Sequence, residues 1–178
     1  MTERDEHPFI AYLESLTEGE KRGALSALRR GLGRPPGSAP EMYPYVIPFL
    51  PEAPSPWQER AYYLVASLFA FHSVSTSTGN MGDHMAAARV EGGEEALERR
   101  FTALLAAHPE DLPDYLRQAI SYLKAKGIAV NWDQLLRDVQ WWGHPDRGDQ
   151  VRKRWATAFW RWRKPHTEDK PGDVDSAT

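Results

Sequence analysis

His72 and His84 stand twelve residues apart across SVSTSTGNMGD, with Asp83 beside the second. Two imidazoles and a carboxylate are raw material for a divalent-metal site, but a zinc centre takes at least three converging protein ligands. His7, His108, His144 and His166 are scattered along the rest of the chain. All six histidines therefore read as surface or loop residues. Asp111 and Asp114 sit where a helix should begin, and suit capping better than acid–base work. Glu94, Glu95 and Glu98 fall in a helix's first turns, where the dipole favours acids. No phosphate-cradling glycine loop, serine elbow or metalloprotease helix motif is present. The sequence predicts neither an enzyme nor a cofactor.

The cations are the better lead. The chain carries 22 Lys and Arg against 25 Asp and Glu, a net charge of −3. They are unevenly spread: Arg147 to Lys164 holds seven bases and one acid, Asp149. A second group, Lys21, Arg22, Arg29, Arg30 and Arg34, faces only Glu18 and Glu20. Helical spacing sorts them further. Arg22 and Arg29 are seven apart on one face, as are Arg117 and Lys124. Arg99 points away from the Leu97–Phe101–Leu104 stripe, with Arg100 on its flank. Spaced cations on rigid supports are what a phosphodiester backbone requires. The candidate nucleic-acid-binding set is Arg22, Arg29, Arg30, Arg34, Arg99, Arg100, Arg117, Lys124, Arg147, Lys153 and Arg154. Arg137 has Asp133 four residues before it and reads as half of a helix-surface pair. Of Trp141 and Trp142, one should be core and the other partly exposed, where it could also stack a base.

These cations need helices to hold them, and the punctuation is helical almost throughout. Residues 8–16 form a short amphipathic helix. Thr17 and Glu20 make a capping box for a helix ending near Gly31–Gly33. The proline-rich stretch 35–56 is mostly loop, with one helical turn around Met42–Ile47. Ser55 caps the next helix, with Pro56 first and Gln58 reaching back. That helix is apolar nearly all round and should be central. STSTGNMGDH reads as a polar loop, followed by a short helix over 85–90. Three more helices follow, over the Leu97–Leu105, Leu116–Leu123 and Leu135–Val139 stripes, the last capped by Asn131. A final helix runs from about Gly148 to Lys164, with Val151, Trp155, Phe159 and Trp162 inward and Lys153 and Trp160 outward.

The expected architecture is all-α, about eight helices in two packed bundles, residues 1–92 and 93–164, with a disordered acidic tail over 165–178. The chain has no cysteine, no apolar run long enough to span a bilayer, and an N-terminal segment too acidic for a signal peptide. A cytoplasmic protein is expected.

The order of short motifs carries a resemblance. RGALSALRRGL, then EMYPYVIPF, then a helix ending LFAFH, then ERRFTALL, then YLRQAISYLKAKGIAVNWDQLLRDVQWWG, then VRKRWATAFW resembles the small CasB-type subunit of the type I-E Cascade, the CRISPR RNA-guided surveillance complex. The likeness covers about residues 8–163. It implies an all-α fold of two bundles without metal or cofactor. It also implies two copies per complex, contacts with the other Cascade subunits and the CRISPR RNA complex, and a grip on the target and displaced DNA strands. Arg29 and Arg30 of LRR, Arg100 of ERRF, Arg117 of YLRQ and Arg147 just beyond WWG match positions where that family carries a basic surface. Directly after WWG this chain has His144 and Pro145, where some relatives are basic. Two readings of other classes compete: an all-α adaptor whose cations bind acidic protein partners, and an amphipathic membrane-surface protein using Trp160 and the terminal bases, against which the buried tryptophan stripe and the acidic tail argue.

Overall fold

A run with no polar face, AYYLVASLFA, must lie inside a protein along its whole circumference. In the computed structural model, which describes residues 5–19 and 21–161, every residue from Ala61 to Ala70 is buried. Among the described residues nine α-helices follow one another: α1 (Pro8–Ser15), α2 (Arg22–Arg29), α3 (Tyr43–Val46), α4 (Pro56–Phe71), α5 (Met81–Ala87), α6 (Glu94–Leu105), α7 (Leu112–Ala125), α8 (Trp132–Val139) and α9 (Pro145–Arg161). Single 3-10 turns flank α3, over Pro40–Met42 and Ile47–Phe49. The fold is all-α. The only β-type pairing among the described residues is an isolated bridge between Ser75 and Val130.

Helix α4 is the axis, and α2, α3, α7 and α8 pack on it. Its start is fixed locally. Pro56 takes the first position, Ser55 Oγ accepts from Gln58 N–H at 3.2 Å, and the Gln58 side chain accepts from Ser55 N–H at 3.1 Å. The most extensive helix pairing is α5 on α9, and a glycine permits it. A Cβ on Gly82 would collide with the backbone carbonyl of Trp155. Only a hydrogen there lets the two helices meet backbone to backbone. On α9 the inward stripe is Gly148, Val151, Trp155 and Phe159. The predicted core residue Trp162, the bases Arg163 and Lys164, and the acidic segment 165–178 lie outside the described residues.

Several expectations are corrected. STSTGNMGDH does not stay a loop: α5 begins at Met81, because Asn80 Oδ1 accepts from Gly82 N–H at 2.8 Å while Asp83 Oδ2 accepts from Asn80 N–H at 2.8 Å. This capping box starts the helix four residues before its apolar run. Thr17 does not stand at the start of α2: its hydroxyl donates to Glu14 O at 2.7 Å, closing the end of α1, and α2 starts at Arg22 with no side-chain cap from Lys21. The expected partner Glu20 is outside the described residues. Trp160 does not point into solvent. It is half-buried, 5.6 Å from the Phe101 ring and 4.9 Å from Phe159. His72 and His84 are not surface groups but buried, 4% and 6% exposed.

Candidate nucleic-acid interface

The C-terminal end of α4 presents carbonyls that no further turn satisfies. Two cations from opposite halves of the chain reach them. Arg29, at the end of α2, donates its Nε–H to Ala70 O at 2.9 Å. Lys124, near the end of α7, donates from Nζ to Phe71 O at 2.8 Å and sits 4.2 Å above the Phe71 ring. Each is thus held by the negative end of α4, yet not exhausted by it. Arg29 keeps its two terminal amino groups, and Lys124 keeps two of three N–H donors.

Beside this pair runs an open groove of about 590 Å³, lined by Leu32, Phe71, Arg100, Arg117, Gln118, Ser121 and Tyr122. Arg100 enters from α6, its guanidinium carbon 5.5 Å from the Tyr122 ring centre. Arg117 enters from α7, paired with Asp114 at 3.5 Å. It also forms one wall of a neighbouring cavity of about 320 Å³ that contains Arg34. The chain bends past the Arg117 guanidinium at Gly33, whose φ of +72° favours glycine. Arg99 lies along the α6 side, lining a small cavity with Arg100 and Tyr122, and pairs with exposed Glu95 at 3.4 Å.

Arg100 and Arg117 line the groove itself, Arg34 and Arg99 line the two cavities that share Arg117 and Arg100 with it, and Arg29 and Lys124 sit at the end of α4, where Phe71 forms part of the groove wall. Arg22 and Arg30, at the two ends of α2, are exposed but line neither cavity. Arg147, Lys153 and Arg154 are elsewhere, on α9. Arg147 stacks 4.0 Å over the ring of half-exposed Trp141, and Arg154 meets Asp138 at 3.4 Å. Lys153 is exposed. Trp142 is core, and donates its indole N–H to Ala107 O at 3.0 Å.

The sequence reading missed the uncharged walls of the groove: Gln118, Ser121, Tyr122 and Phe71. A signal for some of them existed. Arg117, Ser121 and Lys124 follow i, i+4, i+7 spacing on α7, opposite the buried Leu116, Ala119, Ile120 and Leu123. Arg152, one of the seven bases between Arg147 and Lys164, is a structural cap. Its Nε–H donates to Leu105 O at 3.1 Å, just where α6 ends, and its guanidinium lies 4.4 Å over Trp142.

The groups able to do other chemistry are engaged with the backbone or buried partners. His72 donates Nε2–H to Ile128 O at 2.7 Å. His84 accepts Asn131 N–H at Nε2, 3.0 Å, so its proton sits on Nδ1; burial pushes its pKa down to about 4, against the weaker opposing pull of Asp83. His7 caps α1 through Nδ1, and burial holds it below the usual imidazole range. Asp133 accepts from Arg137 Nε at 2.9 Å and from His7 N–H at 2.8 Å. Burial raises its pKa, but these bonds outweigh it and hold the carboxyl below its usual range. Among the described residues no group of three or more His, Asp or Glu side chains is arranged to hold a metal ion, and no helix is long and apolar enough to cross a membrane.

Such an all-helical chain, with cations from several helices set around one groove, matches known proteins over most of its length. Residues 24–160 fit the model of the CRISPR-associated protein Cse2 family, and the chain belongs to that family. A CRISPR-associated protein Cse2 of Thermus thermophilus is 35% identical over 157 residues, covering 85% of this chain and 88% of that protein. The crystal structure of CasB from Thermus thermophilus superposes with a TM-score of 0.75 at 29% identity, covering 86% of this chain and 96% of the other. A chain from a CRISPR RNA-guided surveillance complex superposes with a TM-score of 0.74 at 26% identity, covering 86% and 90%.

Proposed function

We propose that this protein is the small subunit of a cytoplasmic CRISPR RNA-guided Cascade complex, and that it holds the DNA strands of the R-loop by their backbone. The observation that carries this reading is a groove lined by Arg100 and Arg117, with Arg29 and Lys124 held at the α4 end beside its Phe71 wall. Its likeness to a chain of a CRISPR RNA-guided surveillance complex supports the setting. In that setting its partners are the target and displaced strands, the CRISPR RNA complex, the other Cascade proteins and a second copy of itself. The chain catalyses nothing; base pairing with the guide reads the sequence.

The geometry suits a backbone grip. Arg117 and Lys124 lie seven residues apart on α7, about 10 Å along the axis, far enough to meet different phosphates of one strand. Arg29 and Lys124 are already anchored by α4, so less side-chain freedom is lost when a phosphate arrives. The exposed pairs Arg117–Asp114 and Arg99–Glu95 are of a kind worth little in water, about 0–1 kcal/mol, and can be exchanged for phosphate. Arg147, Lys153 and Arg154 extend the grip to α9.

The test is a salt titration of binding to two unrelated sequences, single-stranded and duplex. About four contacts on single strands give a log–log slope near −3, and Arg100→Ala and Arg117→Ala each shrink it by about 0.7. Unchanged slopes in well-folded variants would sink these residue assignments. A strong preference for one sequence would sink the backbone grip, and no binding at all would favour an adaptor with acidic protein partners.

A further inference from the structure

The groove has a second candidate occupant in the chain itself. Helix α9 leaves the described structure at Arg161, and its last turn is linked to the groove residue Tyr122 through residues 88 and 89. Phe159 stacks on Phe101 at 4.3 Å, and Trp160 lies 5.6 Å from the same ring. Phe101 is the immediate neighbour of Arg100, which forms the groove wall with Tyr122. From the other side, Arg89 donates to Phe159 O at 2.8 Å, while Tyr122 donates to Ala88 O at 3.4 Å. Residues 88–89 and 100–101 thus tie the end of α9 to the groove edge. Beyond that end the sequence reads WRKPHTEDKPGDVDSAT, with Glu168, Asp169, Asp173 and Asp175 against a single base, Lys170, after Pro165.

The geometry points to an intramolecular docking: the acidic segment 168–175 occupies the cationic groove between α6 and α7 and competes there with nucleic acid. The reach suffices. Seven extended residues from Trp162 to Glu168 span about 23 Å, and the seven further to Asp175 as much again. The groove offers Arg100, over the Tyr122 ring, and Arg117, paired with an exposed aspartate, and Lys124 stands beside its Phe71 wall on a backbone carbonyl. A tether this short gives an effective concentration on the order of millimolar, enough to populate contacts too weak to form between separate molecules. Such contacts are screened by salt and yield to a polyanion that supplies more charges at once. The competition rests on the reading of the groove as a phosphate grip; the docking itself does not.

The absence of cysteine from the chain makes a direct test simple. In the full-length protein, Ser176→Cys is combined with Ser121→Cys in the groove, and, as a control, with Asp146→Cys in the first turn of α9, about 22 Å from its last described residue. A short bis-maleimide should cross-link the 121–176 pair at low salt well above the 146–176 pair. The yield should fall in high salt, and in the variant carrying Glu168→Gln, Asp169→Asn, Asp173→Asn and Asp175→Asn. Equal yields for the two pairs, or a 121–176 yield indifferent to both salt and charge, would overturn the docking. The same neutralised variant without cysteines should bind single-stranded DNA about three- to ten-fold more tightly at low salt, because an occupied groove lowers apparent affinity by its free fraction. Equal DNA affinity with a positive cross-link would overturn the competition. Failure of both proteins to bind DNA, with the cross-link intact, would remove the nucleic-acid reading and leave the docking standing.

Discussion

Trp155 donates its indole N–H to Asp138 Oδ2 at 2.8 Å, a bond made wholly inside the protein between α9 and α8. Gln134 Nε2 donates to the other oxygen at 2.9 Å, and Arg154 approaches it at 3.4 Å from the partly exposed side. Burial pushes the Asp138 carboxyl above its usual range, against the opposing pull of these three donors.

Removing that acceptor should therefore destabilise α9. Asp138→Ala leaves a buried indole N–H unsatisfied, at a cost of about 1–3 kcal/mol. Asp138→Asn keeps an oxygen for Trp155 and should lose less. A raised folded pKa means that the wild type loses stability as pH climbs from the usual aspartate range through the folded value. The deficit of Asp138→Asn should accordingly narrow between acid and neutral pH. Urea unfolding of the three proteins across that range measures both effects.

His84 titrates in the opposite sense. Its folded pKa is about 4, from an ordinary 6.5. Between those values the unfolded chain takes up the proton first, so stability falls as pH drops through that window, with a slope of up to about 1.4 kcal/mol per pH unit, and is unaffected above it. A His84→Gln variant should lose this part of the slope. If the two proteins show parallel pH–stability curves from 7 to 4, the buried acceptor role is wrong.

The close approach of α5 and α9 predicts contrasting alanine variants. Gly82→Ala would drive a methyl group into the Trp155 carbonyl. It should cost about 1–3 kcal/mol or more, although alanine favours helix. Gly23→Ala, at an exposed position of α2 with nothing within 4 Å, should instead stabilise by up to about 1 kcal/mol. Thermal melting of both distinguishes packing from propensity.

Two arginines should separate folding from binding. Arg152 caps α6 and covers Trp142, so Arg152→Ala should cost about 1–3 kcal/mol of stability without changing the salt dependence of DNA binding by the folded protein. Arg117→Ala removes an exposed partner of Asp114. It should cost under about 0.5 kcal/mol while lowering the salt slope. Denaturant unfolding beside binding isotherms reads both.

The elements set by a single local pattern were legible. Ser55–Pro56–Gln58 and the apolar run after it specify α4, and the Val151–Trp155–Phe159 spacing specifies the buried face of α9. What stayed hidden depends on neighbours distant in sequence. Polar STSTGNMGDH disguised α5, whose inward face is acceptable only because Gly82 meets the α9 backbone. Arg29 and Lys124 read as binding cations and Arg152 as one base of a cationic run, yet each reaches a main-chain carbonyl 41, 53 or 47 residues away. Helical phase told which way these side chains point, but not which helix end awaited them. The grouping of Arg100 with Arg117 and Lys124 needed the packing of α6 on α7, which no spacing within either helix encodes.

The cationic grip on α4 also makes the groove a late product of the folding chain. Arg29 and Lys124 meet at Ala70 and Phe71 only when residues nearly a hundred positions apart have come together. Neither half of the sequence can present that surface alone. A polyanion that engages it selects the native state over the unfolded one, and mass action then adds RT ln(1 + [L]/Kd) to stability. DNA should raise the melting temperature of this protein in proportion to the logarithm of its concentration, acting as a ligand that keeps the fold closed.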